Sequence, residues 1–386
     1  MTEWKEYKFS DFIDINPSVK IPKGIPVSFV EMKDLDCSVR YCESSQLKEL
    51  SGGSRFMNGD TLFARITPCL ENGKICQVRN LKNGYGFGST EFQVFRGKEG
   101  VSDNDFVYYL SRWDEVRDFA EHNLEGSSGR QRVSKEAFDN LFLILPPFPT
   151  QRRIASILSS LDDKIDLLHR ENATLEQMAE TMFRQWFVVE AKEEWEEGKL
   201  GDVLTVKGGT TPSTKEPSFW NGEIAWTSPR DVTTMDGLYL FETEKKITQK
   251  GLEQISSGLL PSGTLLMSSR APVGVLAFAE IPLAINQGYI AIIDDKGYPK
   301  EFIYLWLKAN MDLVHSYSNG STFMEISKSA FKSLDISIPS KNEVECFVQE
   351  VKPYFEKIRT NEIQIRTLIQ TRDGLLPRLM NREIKI

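Results

Sequence analysis

Residues Pro146–Val188, PPFPTQRRIASILSSLDDKIDLLHRENATLEQMAETMFRQWFV, decide the architecture. Three prolines in four residues fix φ and bar the residues before them from helix. Thr150 then offers an N-cap, and neither Gly nor Pro recurs before Gly198. Ile154, Leu158, Leu161, Ile165, Leu168, Asn172, Leu175, Ala179, Met182 and Trp186 step alternately by four and three. That pattern predicts one long helix whose heptad seam must bury against another long helix. Asp162-Asp163-Lys164 and His169-Arg170-Glu171 fall on the opposite, solvated face. A lone seam Asn such as Asn172 fixes register at some cost in stability. A helix of one globular core is the plainer reading, but core helices rarely run this far without a cap or breaker.

With 386 residues, the chain has room for two or three domains. Its 40% hydrophobic and 26% charged content is that of a globular protein. No apolar run is long enough for a bilayer, and MTEWKEYKFSDF is neither a signal peptide nor a presequence. Cysteines 37, 42, 69, 76 and 346 are odd in number and form no CxxC pair. They read as idle thiols of a reducing compartment, the cytoplasm, rather than as zinc ligands. A net charge of −8 argues against non-specific coating of nucleic acid and leaves local basic grooves open.

Outward from the central helix, the chain repeats. Trp4-Lys5-Glu6-Tyr7-Lys8-Phe9-Ser10-Asp11-Phe12 is echoed by Trp195-Glu196-Glu197-Gly198-Lys199-Leu200-Gly201-Asp202-Val203. The run from Asn58 to Arg65 is echoed by that from Ser262 to Arg270, each a turn feeding a strand with a proline soon after, Pro68 and Pro272. From Ser134/Ser327 through Pro146/Pro339 the offset is a constant 193 residues. A second long helix is therefore expected after Pro339. Phe347, Val351, Tyr354, Ile358, Asn361, Ile365 and Leu368 make one seam; Val348, Val351, Phe355, Ile358, Glu362, Ile365 and Ile369 make another equally good one. Pro353 should kink or restart this helix, and Gly374 with Pro377 should break its tail.

The expected fold class is α/β (α+β): two mixed α/β domains joined by two long antiparallel coiled-coil helices in a pseudo-twofold internal duplication. The expected boundaries are 1–145 and 195–338 for the globular domains, with 146–194 and 339–386 for the helical regions. At 1.5 Å rise per residue, ~35 helical residues span roughly 50 Å.

Motifs for catalysis are missing. His122, His169 and His315 form no metal-spaced cluster, Asn72-Gly73-Lys74 lacks the upstream glycine of a phosphate loop, and no nucleophile elbow occurs. Polar loops stand out instead. Gly126-Ser127-Ser128-Gly129-Arg130-Gln131-Arg132 presents guanidiniums that suit guanine and an amide that suits adenine, while Ser128 and glycine amides suit phosphates. Arg65 and Lys74 lie near the first proline turn. In the second half, Lys207, Thr210 and Thr211 belong to a comparable glycine loop, followed by Arg230, Arg270 and Gln287. Each alone is an ordinary polar turn; their recurrence in both halves makes them candidate DNA contacts.

At this point the chain resembles the specificity (S) subunits of type I restriction–modification enzymes. The resemblance rests on LPPFPTQRRIASIL with Gln151, Ile154 and Ala155, on Met182 to Phe187, on WEEGKLGDVLTVKGGTTPS with FWNGEIAWTSPRDV and AINQGY, and on Leu375-Leu376-Pro377-Arg378-Leu379. The first half departs from it, with DINPSVKIPKG in place of the GGTTPS loop, and Ser340-Lys341-Asn342-Glu343 replaces a second PPFPTQ. The family implies two target-recognition domains, each reading half of a bipartite double-stranded DNA site, and no catalysis by this subunit. It implies two modification subunits clasping the helices, here through Ile154, Leu158, Leu161, Ile165, Asn172, Leu175, Val351, Ile358 and Ile365, with restriction subunits joining for cleavage. Neither cofactor nor metal is expected on this chain; S-adenosylmethionine and ATP would sit on the partners. A type IIB-like specificity subunit shares the architecture. A stand-alone methyltransferase or nuclease, and a protein-binding coiled-coil adaptor, are the contrasting classes.

Overall fold

The computed structural model describes residues 3–22, 24–127, 129–293, 296–320 and 324–384. It divides into two compact units, one of Met1–Leu167 with Ile365–Ile386 and one of Leu168–Gln364.

In the first unit β1 (Lys5–Lys8) leads through α1 (Phe9–Phe12) to β2 (Ile13–Ile15). Then come β3 (Pro26–Val30), β4 (Tyr41–Cys42), β5 (Gln46–Glu49), β6 (Ser54–Met57), β7 (Thr61–Ala64), β8 (Ile75–Val78), β9 (Tyr85–Gly88) and β10 (Phe92–Gly97). After α2 (Asn104–Arg112) and α3 (Asp114–His122), short β11 (Leu124–Glu125) and β12 (Arg132–Val133) precede β13 (Phe142–Leu145), which delivers the chain to α4 (Phe148–Arg184). The second unit follows the same plan. It contains β14 (Glu196–Lys199), α5 (Leu200–Val203), β15 (Thr205–Lys207), β16 (Trp220–Thr227), α6 (Pro229–Thr234), β17 (Tyr239–Leu240), β18 (Lys245–Ile247) and α7 (Gln249–Leu252). Next are β19 (Leu265–Ser268), β20 (Leu276–Ala279), β21 (Leu283–Ile285), β22 (Tyr289–Ile293), α8 (Lys300–Ala309), α9 (Met311–Ser316), α10 (Lys328–Lys332), β23 (Asp335–Ile338) and α11 (Lys341–Met380).

The five-stranded sheets and the terminal ribbons match strand for strand, while the third sheet has one strand fewer in the second unit. The order β2-β10-β7-β8-β4 is repeated as β15-β22-β19-β20-β17, the ribbon β1-β13 as β14-β23, and β5-β3-β9-β6 as the shorter β18-β16-β21. Both units are thus mixed α/β, and the repeat seen in sequence is a repeat of topology. Central strands are buried along their length, TLFA in β7 and LLMS in β19, because apolar runs covered on both faces need no alternation. Phe9, Phe63, Phe95, Phe106 and Phe138 fill the first core; Leu265, Met267, Phe302, Leu305 and Phe331 fill the second.

The long helix forms as its periodicity predicts, but it begins at Phe148, two residues before Thr150. Pro149 sits in the first turn, where its missing N–H costs nothing, and the Pro147 carbonyl accepts the Thr150 N–H at 2.8 Å. Gln151 is buried with every arm engaged: Nε2 donates to Val101 and Pro146 carbonyls and Oε1 accepts the Asp103 N–H. The second helix runs unbroken from Lys341 to Met380, straight through Pro353, Gly374 and Pro377. Packing overrides the breakers: Val351 and Phe355 anchor the helix around the first, and Leu376, Leu379 and Met380 around the others.

Both alternative seams of α11 are buried, since Phe347 and Asn361 of one and Phe355 and Glu362 of the other are each at most 5% exposed. One stripe meets the facing helix and the other meets the globular core, so the true apolar face is wider than a two-stranded seam. In the second unit Phe347 of α11 packs on Phe183 of α4 and on Trp186 and Phe187 in the π-helical turn that follows it (Gln185–Val189), and Asn361 Nδ2 donates to Asn172 Oδ1 at 2.8 Å. In the first unit Leu376 and Leu379 share a core with Ile154 and Leu158, and Arg372 bonds Asp162 at 2.7 Å. The helices run antiparallel in each.

Asp162 corrects the sequence reading. Placed on a solvated face, it is instead 2% exposed, paired with Arg372 and accepting from the Tyr109 hydroxyl. Glu362, likewise buried, accepts the Leu238 and Tyr239 N–H groups at 2.7 and 3.0 Å. The residues expected to face partner subunits are also corrected. Ile154, Leu158, Ile165, Val351, Ile358 and Ile365 are buried within this chain, with Leu161, Asn172 and Leu175 half-buried. The exposed faces of α4 carry residues such as Arg152, Arg153 and Met178.

Candidate nucleic-acid interface

Each unit holds one pair of parallel strands within its smaller sheet, β3 with β9 and β16 with β21. Beyond β3 and β16 the chain makes the same turn. Glu31 with Asp34 and Ser228 with Asp231 form reciprocal capping boxes, EMKD answering SPRD. The basic residue at the second turn position, Lys33 or Arg230, is exposed in both and has a glutamate nearby, Glu31 at 2.7 Å and Glu244 at 3.9 Å. Arg230 was legible as a candidate; Lys33 was missed. Only the aligned turns reveal it.

Beside this turn three backbone segments meet. In the first unit the Arg65 N–H donates to the Glu91 carbonyl at 3.0 Å, and the Val133 N–H to the Arg65 carbonyl at 2.9 Å. Ile66 and Arg132 form a bridge, and the next peptide but one, Thr67–Pro68, is cis. The second unit repeats this frame. The Ser269 N–H donates to Gly288 at 2.8 Å, the Ile326 N–H donates to Ser269 at 3.0 Å, Arg270 bridges Glu325, and Ala271–Pro272 is cis. By this register Arg65 corresponds to Ser269, and Arg270 to Ile66.

Most of the predicted first-half residues converge here. Arg132 sets Nε and Nη2 on the Glu91 carboxylate at 2.8–3.1 Å, Arg65 reaches the same group at 3.4 Å, and Arg130 stands exposed beside them. Hydrogen bonds from Arg132 hold the Glu91 carboxyl below its usual range. Gln131 is tied by its backbone to Thr67, through bonds of 3.0 Å in each direction. Ser128 lies outside the described residues. Lys74 is a correction: its Nζ donates to the Met32 and Leu35 carbonyls at 3.0 and 2.9 Å, so it clamps the neighbouring turn and is not an open contact. Glu91 and Glu325 were missed, because a single carboxylate in a turn carries no spacing signal.

In the second unit the glycine loop is pressed against β21. A Cβ on Gly209 would lie 1.8 Å from the Ile285 carbonyl oxygen, so only glycine fits. Thr210 is used internally, donating to the Gln254 carbonyl at 2.7 Å and accepting the Ser256 N–H. Thr211 meets Gln287 at 2.7 Å, and this exposed pair is the part of the loop that faces outward. Lys207 is exposed at the end of β15, and Arg270 is half-buried beside the cis peptide. Among the described residues no cluster of three His, Cys, Asp or Glu could hold a metal ion.

What this edge offers is donors and acceptors on a fixed backbone, the chemistry of base edges and phosphates. Comparison with known proteins gives the family. Residues 1–177 and 192–371 each match the family described as "Type I restriction modification DNA specificity domain". The chain is 26% identical over 465 aligned positions to the "Type I restriction enzyme HindI specificity subunit" of Haemophilus influenzae, covering all of both. It is 35% identical over 185 positions to the "Type I restriction enzyme MjaIX specificity subunit" of Methanocaldococcus jannaschii, 47% of this chain and 43% of that one. A solved S subunit of a type I restriction–modification system from M. genitalium shares the fold, with TM-score 0.53 and 16% identity over 97% of this chain and 96% of that one. Matched twice over nearly its whole length, the chain belongs to the type I restriction–modification DNA specificity family.

Proposed function

We propose that the two units each read one half of a bipartite double-stranded DNA site, and that the chain brings modification subunits to that site. The observation that carries this is the shared frame at the edge of each unit, with one backbone geometry and two different sets of side chains. A duplicated scaffold that keeps its backbone frame while the polar side chains on it differ is suited to reading two different sequences. As a specificity subunit, the chain recognises and its partners catalyse. Two modification subunits are expected to supply S-adenosylmethionine and the methyl transfer to adenine, and restriction subunits to supply ATP-driven cleavage. The relatives above are type I subunits, which does not favour the type IIB-like alternative. Among the described residues no helix is long and apolar enough to cross a membrane.

Co-expression with the cognate modification subunit, followed by mapping of methylated adenines, tests the reading. A two-part motif absent without this chain is expected. Stoichiometric S-adenosylmethionine binding by the isolated chain, seen by calorimetry, would instead point to a methyltransferase.

A further inference from the structure

We propose that the three-segment frame is the base-reading head of each unit, set to guanine in the first by Arg132 oriented by Glu91, and to cytosine in the second by Glu325. The proposal rests on the DNA-reading function above and assigns it to particular atoms.

The frame holds three side-chain positions at constant backbone geometry. They carry Arg65, Glu91 and Arg132 in one unit, and Ser269, Gly288 and Glu325 in the other. Residues that maintain the fold stay apolar across the repeat, identical at Phe106 and Phe302, Phe138 and Phe331, and Leu141 and Leu334, and conservatively exchanged at Phe9 and Leu200. At the frame all three positions change chemistry. Arg132, with a side chain 42% exposed, is not there for burial.

An arginine has five N–H donors. Glu91 takes the Nε donor and one on Nη2, and the Arg130 carbonyl takes one on Nη1 at 3.1 Å. Two donors remain, the number a guanine O6/N7 edge accepts. Glu91 acts through Arg132: it fixes the guanidinium plane before DNA arrives, so less side-chain freedom is lost on binding. It is a positioning residue. In the second unit Gly288 offers no carboxylate, and the place of Arg132 is taken by Glu325. Glu325 is exposed, and no ion pair engages it among the described residues. A carboxylate there repels phosphate and is repaid only by a donor such as the cytosine N4 amine.

The test uses the full chain in complex with its modification subunit, with methylated adenines mapped genome-wide for wild type, E91Q, R132K and E325Q. R132K keeps the charge but loses the planar fork. We expect R132K and E91Q to relax the same G·C pair of one half-site, with discrimination falling about tenfold or more, and to leave the other half-site intact. E325Q should relax one pair in the other half-site only. Unchanged motifs in R132K and E325Q overturn the frame as the reading head. If E91Q lowers methylation evenly at all sites, with a lower melting temperature and an unchanged motif, Glu91 is structural support and its positioning role falls. Should E91Q not assemble, that role falls too, and R132K and E325Q still decide the frame. A wild-type complex without any bipartite motif would remove the DNA-reading function itself, before any variant is compared.

Discussion

Two buried acids show what a single residue can conceal. Asp162 and Asp163 are identical letters on a polar helix face, yet Asp162 is sealed in the first unit and Asp163 is exposed. Its partner, Arg372, lies 210 positions away, beyond the reach of any local pattern. Replacing Arg372 by Met leaves the Asp162 charge, among the described residues, with only the Tyr109 hydroxyl and should cost about 3–5 kcal/mol, seen as a lower midpoint in urea. A loss below about 1 kcal/mol would mean that solvent reaches the pair. Glu362 is the second case. Burial pushes its carboxyl from 4.5 up to about 7, opposed by the two backbone N–H bonds it accepts. Asp236, Glu176, His169, Tyr304 and Lys308 line the same cavity. The folded state keeps this proton to higher pH than the unfolded chain. Its contribution is therefore complete below about 4.5 and lost as pH rises towards about 7, by roughly 3 kcal/mol at most. The apparent melting temperature should fall across that window, and less steeply in Glu362→Gln. Equal slopes in the two proteins would refute the assignment.

Among the elements, the long helices were the most legible because a heptad is a statement about burial, and burial is what forms a helix this long. Their ends and breakers were not legible. Proline and glycine act locally at about 1–3 kcal/mol each, less than the buried Val351, Phe355, Leu376 and Leu379 supply around them. The frame was half legible: glycine loops and arginines show in sequence, but which carboxylate they meet depends on strands brought together by the sheet. Asn172 stands out in the apolar seam, and it accepts a hydrogen bond from Asn361 of the second helix. Replacing both by Leu should raise the melting temperature, since an apolar seam is more stable, while loosening the register of the pair. The readout is the spacing in methylated sites, which should become mixed. Uniform spacing in the double variant would show that the register is held elsewhere, with Asp162–Arg372 the obvious holder.

At the scale of the whole molecule, duplication was readable from the constant 193-residue offset, and the equivalence of the two sheets was not. Strand order needs pairings that sequence echoes do not encode. If the two helices set the distance between half-sites, a heptad added after Glu171 and another after Thr360 keeps the seam in phase. It lengthens each helix by about 10 Å, or some three base pairs. Both half-sites should persist with a longer spacer. A fixed spacer with methylation intact would assign the spacing to the partner subunits.

The first unit is discontinuous, closed only by Ile365–Ile386, whereas the second is the uninterrupted Leu168–Gln364. On the ribosome, order of appearance and order of completion are therefore reversed. The second unit has all its residues while the first still lacks Leu376, Leu379 and Met380 from its core and Arg372 opposite Asp162. A nascent chain halted near Gln364 would carry a finished second reader and an open first one. Truncation there should spare the compactness of the second unit, judged by protection from protease, and expose the first, although the residues removed are the farthest from it in translation.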